Sequence, residues 1–350
     1  MIVKKIALKN FRNHDDLSLE FQKGLNIITG NNAVGKTNIV EAIYYLSLAR
    51  SFRTQDNKDL IKHGKDWAEI ESLIIEGDIP RKIKVTFANQ ARAIYINGNS
   101  VSKISDLSKC MNVLLFEPKD VLFFKDSPKV RRAYLDTNIS KKSTKYLDTL
   151  SRYEKYLRQR NDVLKSDEPD MELLDTITDM LVELSEPLVE MRGAYLKDIN
   201  DILIKITRAL TGEDSEIEIK YNPYVELGDD FKERAKEAFK RALEGDLKRK
   251  ATSIGVHRED FSISLNKRDI GEFGSQGENR MIALALKLSP YFLIEDKDKR
   301  PVIVLDDVMS ELDQSHRTRL LKLVSKFEQV FITATKLEVK GATQFRLKDK

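Results

Sequence analysis

Residues Gly30, Asn31, Asn32, Ala33, Val34, Gly35, Lys36 and Thr37 carry the pattern G-x-x-x-x-G-K-[ST], whose chemistry is the binding of a phosphate chain. The glycines let main-chain N–H groups turn inward around phosphate oxygens, Lys36 supplies positive charge to the β- and γ-phosphates, and Thr37 offers a hydroxyl to Mg²⁺. Asn38 continues the loop into a helix. Far downstream, the apolar run Val302-Ile303-Val304-Leu305 ends on Asp306 and Asp307. Carboxylates at the carboxyl end of a buried strand stand where a metal ligand of a phosphate site belongs. Asp306 is expected to hold the metal through water, and Asp307 to polarise the attacking water. An acidic pair after a strand is often only a turn, and the phosphate loop is what gives this one a chemical reading. A third element, Gly274-Ser275-Gln276-Gly277-Glu278, precedes an apolar helix over residues 281–288. A hydroxyl on a small-residue turn at a helix N-terminus makes a second anion site, although alone it reads more simply as a helix cap.

These residues need elements to place them. Residues 25–29 form an apolar strand entering the phosphate loop, and Ile39, Ala42 and Ile43 start a helix after it. Up to residue 125 the chain is strand-rich, with a hairpin at 82–101 turning on Asn97-Gly98, where both residues tolerate positive φ. From Lys129 the period becomes helical, with a polar break at Ser166–Asp170 between two arms and Pro187 expected to kink or split the second. Strand-like runs return at 216–221, 261–265, 302–305 and 330–332, and the last two are apolar throughout, as parallel strands buried on both faces require. The boundaries expected are 1–125 for the N-terminal part of a nucleotide-binding head, 126–245 for a helical insertion lobe and 246–350 for the C-terminal part. Trp67 is expected in the core.

The order of phosphate loop, small-residue turn, strand with tandem acids and then Ser310-Glu311-Leu312-Asp313 resembles the ABC-type and SMC-like ATPase head family, with the last stretch matching its D-loop. The family's signature reads L-S-G-G-Q. Here Ser275 and Gly277 match, Gln276 replaces the first glycine and Glu278 the glutamine. Asp307 replaces the usual glutamate, and Thr333 or Thr335 stands in place of the switch histidine. Asn10-Phe11-Arg12, Ser51-Phe52-Arg53-Thr54, Ser127-Pro128-Lys129-Val130-Arg131-Arg132 and Gly255-Val256-His257-Arg258-Glu259-Asp260 resemble the DNA gap-repair branch of that family.

The resemblance implies an α/β ABC-type head assembled from N- and C-terminal segments with a helical insertion. ATP and Mg²⁺ are its cofactors, and its active form is an ATP-dependent homodimer. Each nucleotide meets one subunit's residues 30–38 and the partner's Ser275, Gln276 and Gly277, while Arg12 reaches the γ-phosphate. The activity implied is a weak DNA-dependent ATPase at boundaries between duplex and single-stranded DNA. RecR and RecO are the implied partners, with a link to RecA loading. The roles of Glu117, at the place of a glutamine in related heads, and of His257 and Arg258 are left open.

Lys+Arg exceeds Asp+Glu by only 60 to 56, so any DNA site must come from local clustering. Arg131 and Arg132 with Lys141, Lys142 and Lys145 form the candidate run, against the alternative of a solvated helix face. The single cysteine, Cys110, lies among apolar residues and suggests a buried thiol in a reducing compartment. No run approaches the ~18 apolar residues of a membrane span, so a cytoplasmic protein with no membrane partner is expected. A transporter ATPase subunit shares the head chemistry but lacks the gap-repair motifs, and a small-molecule P-loop kinase leaves Ser275 and residues 310–313 as coincidences.

Overall fold

The computed structural model describes residues 1–88, 91–102 and 104–348. In chain order the strands are β1 (Ile2–Phe11), β2 (His14–Glu20), β3 (Gly24–Thr29), β4 (Trp67–Glu76), β5 (Ile79–Ala88), β6 (Ala91–Ile96), β7 (Asn99–Ser100), β8 (Val113–Phe116), β9 (Ile217–Asn222), β10 (Asp260–Leu265), β11 (Arg268–Asp269), β12 (Val302–Leu305), β13 (Gln329–Ala334) and β14 (Thr343–Arg346). The α-helices are α1 (Lys36–Leu48), α2 (Ile104–Cys110), α3 (Pro128–Lys142), α4 (Thr144–Lys165), α5 (Met171–Thr211), α6 (Phe231–Arg249), α7 (Ile270–Phe273), α8 (Gln276–Leu288) and α9 (Gln314–Val324). They divide between two compact units: Met1–Asp120, Lys205–Glu213 and Met281–Lys350 in the first, Val121–Ile204 and Asp214–Arg280 in the second.

In the first unit a parallel sheet of five strands runs in the order β14-β3-β13-β12-β8. Every residue of β8, β12 and β13 is buried, which is why β8, β12 and the centre of β13 at 330–332 read as unbroken apolar runs. Ile39, Val40, Ala42, Ile43 and Leu46 of α1 join Ile28, Val302, Val304 and Phe331 of the sheet in one core. Fully burying such a side chain contributes about 1.5–3 kcal/mol, so the helix that carries Lys36 and Thr37 is firmly seated. Parallel pairing also brings the chain after β3, β8, β12 and β13 to one edge, the usual place for ligands on such a sheet.

The same unit holds an antiparallel sheet of six strands, β2-β1-β4-β5-β6-β7. The expected hairpin turn is present, with Asn97 at φ 49° and Gly98 at φ 84°. Trp67 is a correction: it is 44% exposed. Strand periodicity puts it on the face of Glu69 and Glu71, whose carboxylates pair across strands with Lys84 and Lys82.

The second unit contains α3, α4 and α6 and a three-stranded antiparallel sheet, β11-β10-β9. The boundary expected at residue 245 falls instead at Arg280, because β10 pairs along its whole length with β9 and keeps residues 260–265 in the lobe. The lobe is therefore not purely helical. Pro187 does not split its helix either: α5 runs unbroken through it. A proline removes one helical hydrogen bond, and the buried Leu181, Val182, Leu184, Leu188 and Val189 around it hold the helix together.

Candidate nucleotide site

β3 delivers the chain into the phosphate loop at Thr29, and the two glycines of the loop are there for space as well as conformation. Gly30 has φ 152°, and a Cβ on it would lie 2.8 Å from the Leu347 carbonyl oxygen. Gly35 has φ 108°, and a Cβ would lie 2.6 Å from both Asn13 Oδ1 and His14 Nε2. Lys36 is buried, and its ammonium donates to the carbonyls of Gly30 and Asn31, each at 2.7 Å, so the charge is held across the mouth of the loop.

Thr37 Oγ1 donates to Asp306 Oδ1 at 3.0 Å, and Thr333 Oγ1 donates to the same oxygen at 2.6 Å. Thr333 in turn accepts from the Asp307 N–H at 2.9 Å. Of the two threonines considered for this position, Thr333 is the one that ties both aspartates to the end of β13. Burial pushes the Asp306 carboxyl up, opposed by its hydrogen bonds from Thr333 and Thr37. Asp307 takes a left-handed backbone, φ 50° and ψ 25°, uncommon for a residue with a side chain and tolerated best by Asn and Asp. Ser310 Oγ donates to the Asp307 carbonyl at 2.8 Å, and Asp313 caps α9 through the N–H groups of Ser315 and His316.

Arg12, expected to reach the γ-phosphate, is engaged by groups of its own chain. Its Nε and terminal nitrogen grip Glu41 at 2.9 and 2.5 Å, while the remaining nitrogen donates to the Asp59 carbonyl at 2.7 Å. Glu41 is fully buried on α1 and also accepts from Ser51 Oγ and Arg53. Arg53 donates to Asn38 Oδ1 at 2.7 Å, Asn38 to Asn13 Oδ1 at 2.8 Å, and Asn13 to the Ala33 carbonyl at 3.3 Å. A continuous polar chain therefore links the phosphate loop to Arg12. Sequence reasoning missed Glu41, although an acid within Ile39-Val40-Glu41-Ala42-Ile43 is itself a signal that something basic must answer it.

Glu117 follows β8 on the same edge, with its carboxylate 2.8 Å from Lys119 Nζ. Burial pushes this carboxyl up to about 7, against the hydrogen bond from Lys119. Between the ordinary value of 4.5 and about 7 the folded chain holds a proton that the unfolded chain has released. Stability from this group is complete at the acid end and falls as pH rises through that window. Glu117→Gln removes the loss, so relative to the parent it should gain about 1–3 kcal/mol between about pH 5 and about pH 8, read from urea midpoints. An equal difference at both pH values would show a carboxyl ionised throughout.

Ser275 belongs to the second unit. Its main-chain N–H donates to Glu278 Oε2 at 2.8 Å, and the Glu278 N–H donates to Ser275 Oγ at 3.2 Å. This is a capping box, and it gives a physical reason for glutamate at the last position of the turn. Asn279 adds bonds to the carbonyls of Gly274 and Ser275. Of the residues expected to meet DNA, Arg131 is a correction: it is buried, with both oxygens of Asp260 taken at 2.8 Å. Lys142 lies 3.8 Å from Asp198, and Lys145 is exposed. His257 sits between Tyr153 and the Thr252 carbonyl, and burial lowers it to about 4. Cys110 is buried.

A phosphate loop on β3, paired acids after β12 in a β14-β3-β13-β12-β8 sheet, and a capped small-residue turn in a separate lobe define a nucleotide-binding head of the ABC and SMC type. The family profile described as RecF/RecN/SMC N terminal domain matches residues 2–345. The DNA replication and repair protein RecF of Oceanobacillus iheyensis is 34% identical over 348 residues, covering 97% of this chain and 94% of its own. That of Clostridium acetobutylicum is 37% identical, covering 96% and 93%. The structure of the recombination mediator protein RecF with ATP, in the RecFOR pathway, superposes with a TM-score of 0.88 at 34% identity, over 99% of this chain and 95% of that one. The Smc head of Pyrococcus furiosus shares the fold, with a TM-score of 0.58 at 18% identity over 95% and 89%. The chain belongs to the RecF family of DNA replication and repair proteins.

Proposed function

We propose that the chain binds ATP with Mg²⁺, pairs with a second copy around two nucleotides, and closes on DNA where duplex meets single strand. There, with RecO and RecR, it promotes RecA loading in gap repair and replication restart. Hydrolysis is slow and DNA-dependent, and it reopens the dimer in the cytoplasm. The observation that carries this reading is the convergence of Thr37 and Thr333 on one oxygen of Asp306, with Asp307 next in the chain. An all-oxygen set of hydroxyl and carboxylate suits a hard divalent cation. Mg²⁺, when bound, neutralises phosphate charge; Thr37 and Asp306 would hold it, Lys36 would face the β- and γ-phosphates, and Asp307 would orient water.

Support for a shared site comes from Gly277, which its own chain does not need, and from the exposed turn around it. Gly277 lies in the first turn of α8, yet a Cβ there would meet nothing within 4 Å. Glycine in a helix costs up to about 1 kcal/mol against alanine, so its use here suits close approach of something from outside. Ser275 to Glu278 are all exposed, and the Ser275 hydroxyl, which also meets the Glu278 carboxylate, keeps an acceptor site beyond the one taken by the N–H of Glu278.

Sizing the chain with ATP, with ADP and with neither tests the reading, and dimer with ATP alone is expected. Gly277→Ala should melt no lower than the parent and fail to dimerise. A nucleotide-independent size would count against the clamp, and full dimerisation of Gly277→Ala would remove the turn from it.

A further inference from the structure

Residues 255–260 have no part in the nucleotide chemistry, yet in the second unit they are the centre of a buried charge network. Arg192 is 1% exposed and donates to Glu259 Oε2 at 2.8 Å, to the Val256 carbonyl at 2.8 Å, to Asp136 at 2.7 Å and to Tyr146 Oη at 2.9 Å. Glu259 also accepts from the Tyr221 hydroxyl and the Tyr224 N–H. Asp260 is taken on both oxygens by Arg131. The three carboxylates of the cluster, Asp136, Glu259 and Asp260, are thereby answered by Arg192 and Arg131. His257, lowered to about 4 by burial, adds no charge at neutral pH.

Two guanidinium groups remain, and both are anchored on neutral main-chain oxygens. Arg132 donates to the Glu259 carbonyl at 2.7 Å, and Arg258 donates to the Thr252 carbonyl at 3.2 Å. The Arg132 guanidinium therefore rests on the residue that follows Arg258, which brings the two cations to one short segment. Burial, then Arg192, and also Arg258 lower Arg132 from the usual arginine value, opposed by Asp260 and Asp136, so Arg132 lies within electrostatic reach of Arg258. Arg258 is exposed and Arg132 half-buried. The buried network fixes the segment, while among the described residues neither of these two charges forms an ion pair with a carboxylate.

We propose that Arg132 and Arg258 form a phosphodiester site on the second unit, where their planar forks take backbone phosphate of duplex DNA. A guanidinium fork matches phosphate geometry bidentately, and an anchored fork loses less freedom on binding than a free one. Phosphodiester is favoured over an acidic protein segment because the family's work is on DNA, and the proposal rests on the DNA-binding part of the function proposed above. It also replaces Arg131, which the core has already used, with Arg258.

The test is anisotropy titration of a labelled duplex oligonucleotide across a series of salt concentrations, with ATP present. Each phosphate that the protein no longer neutralises should flatten the slope of log K against log salt by about 0.9, so Arg132→Ala with Arg258→Ala should flatten it by about 1–2 while ATP binding stays at the parent level. Arg258→Ala alone, at an exposed side chain, guards against misfolding and should remove about half of that. Lysine at both positions should restore most of the slope. A folded double variant with the parent's slope overturns the site, including the case in which its cations serve an acidic protein. A parent chain that binds no duplex at all overturns instead the DNA reading on which the site rests.

Discussion

Asp307→Asn should still bind ATP and form the closed dimer, while losing turnover by about 10²–10⁴-fold, the usual contribution of a positioned acid–base group. The geometry makes this substitution unusually clean. Asp307 has a left-handed backbone, which asparagine accepts as readily as aspartate, and its N–H bond to Thr333 does not involve the side chain. Asp306→Asn should behave differently. Its remaining amide oxygen can still accept from Thr37 and Thr333, so the fold survives, but the negative charge is gone. Affinity for Mg-ATP should fall by roughly 10–100-fold, the scale seen when a metal site loses one of its partners. Released phosphate and nucleotide affinity, measured on both variants, separate the roles. Equal loss of ATP affinity in the two would sink the division of labour.

What the sequence made legible here follows a physical division. Residues at a fixed local spacing, such as Gly30, Gly35, Lys36 and Thr37, form a legible pattern because the geometry of one loop dictates the two glycines and the side chains that follow them. The buried strand before Asp306 was readable because burial on both faces forces an apolar run. Contacts that join distant segments were harder. The salt link from Arg12 and Arg53 to Glu41 spans two motifs and a helix, and each member alone has an ordinary surface explanation. Arg131 looked like one of a basic run, but its partner Asp260 lies 129 positions away. The lobe boundary escaped for the same reason, since the pairing of β10 with β9 is a long-range fact. Trp67 was misjudged from its type, when the alternation of β4 would have placed it on the outer face.

The sharpest expected result concerns where Ser275 acts. Lys36→Met should fail to form the nucleotide-dependent dimer, and so should Ser275→Arg, for opposite halves of one composite site. Mixed, they can form a heterodimer in which one site carries both lesions and the other has its phosphate loop and signature turn intact. Dimerisation should partly return, and energy transfer between differently labelled mutants would detect the mixed species specifically. The capping box complicates a simple reading, because Ser275→Arg also removes a helix cap worth about 1 kcal/mol. Ser275→Asp meets this difficulty: aspartate caps as well as serine, yet sets a carboxylate against the phosphate that the turn is meant to receive. If the serine works only as a cap, Ser275→Asp should dimerise normally by itself. If it meets the partner's nucleotide, Ser275→Asp should fail alone and be rescued by Lys36→Met. A folded Ser275→Asp that dimerises unaided, or mixtures that restore nothing, would end the shared-site mechanism.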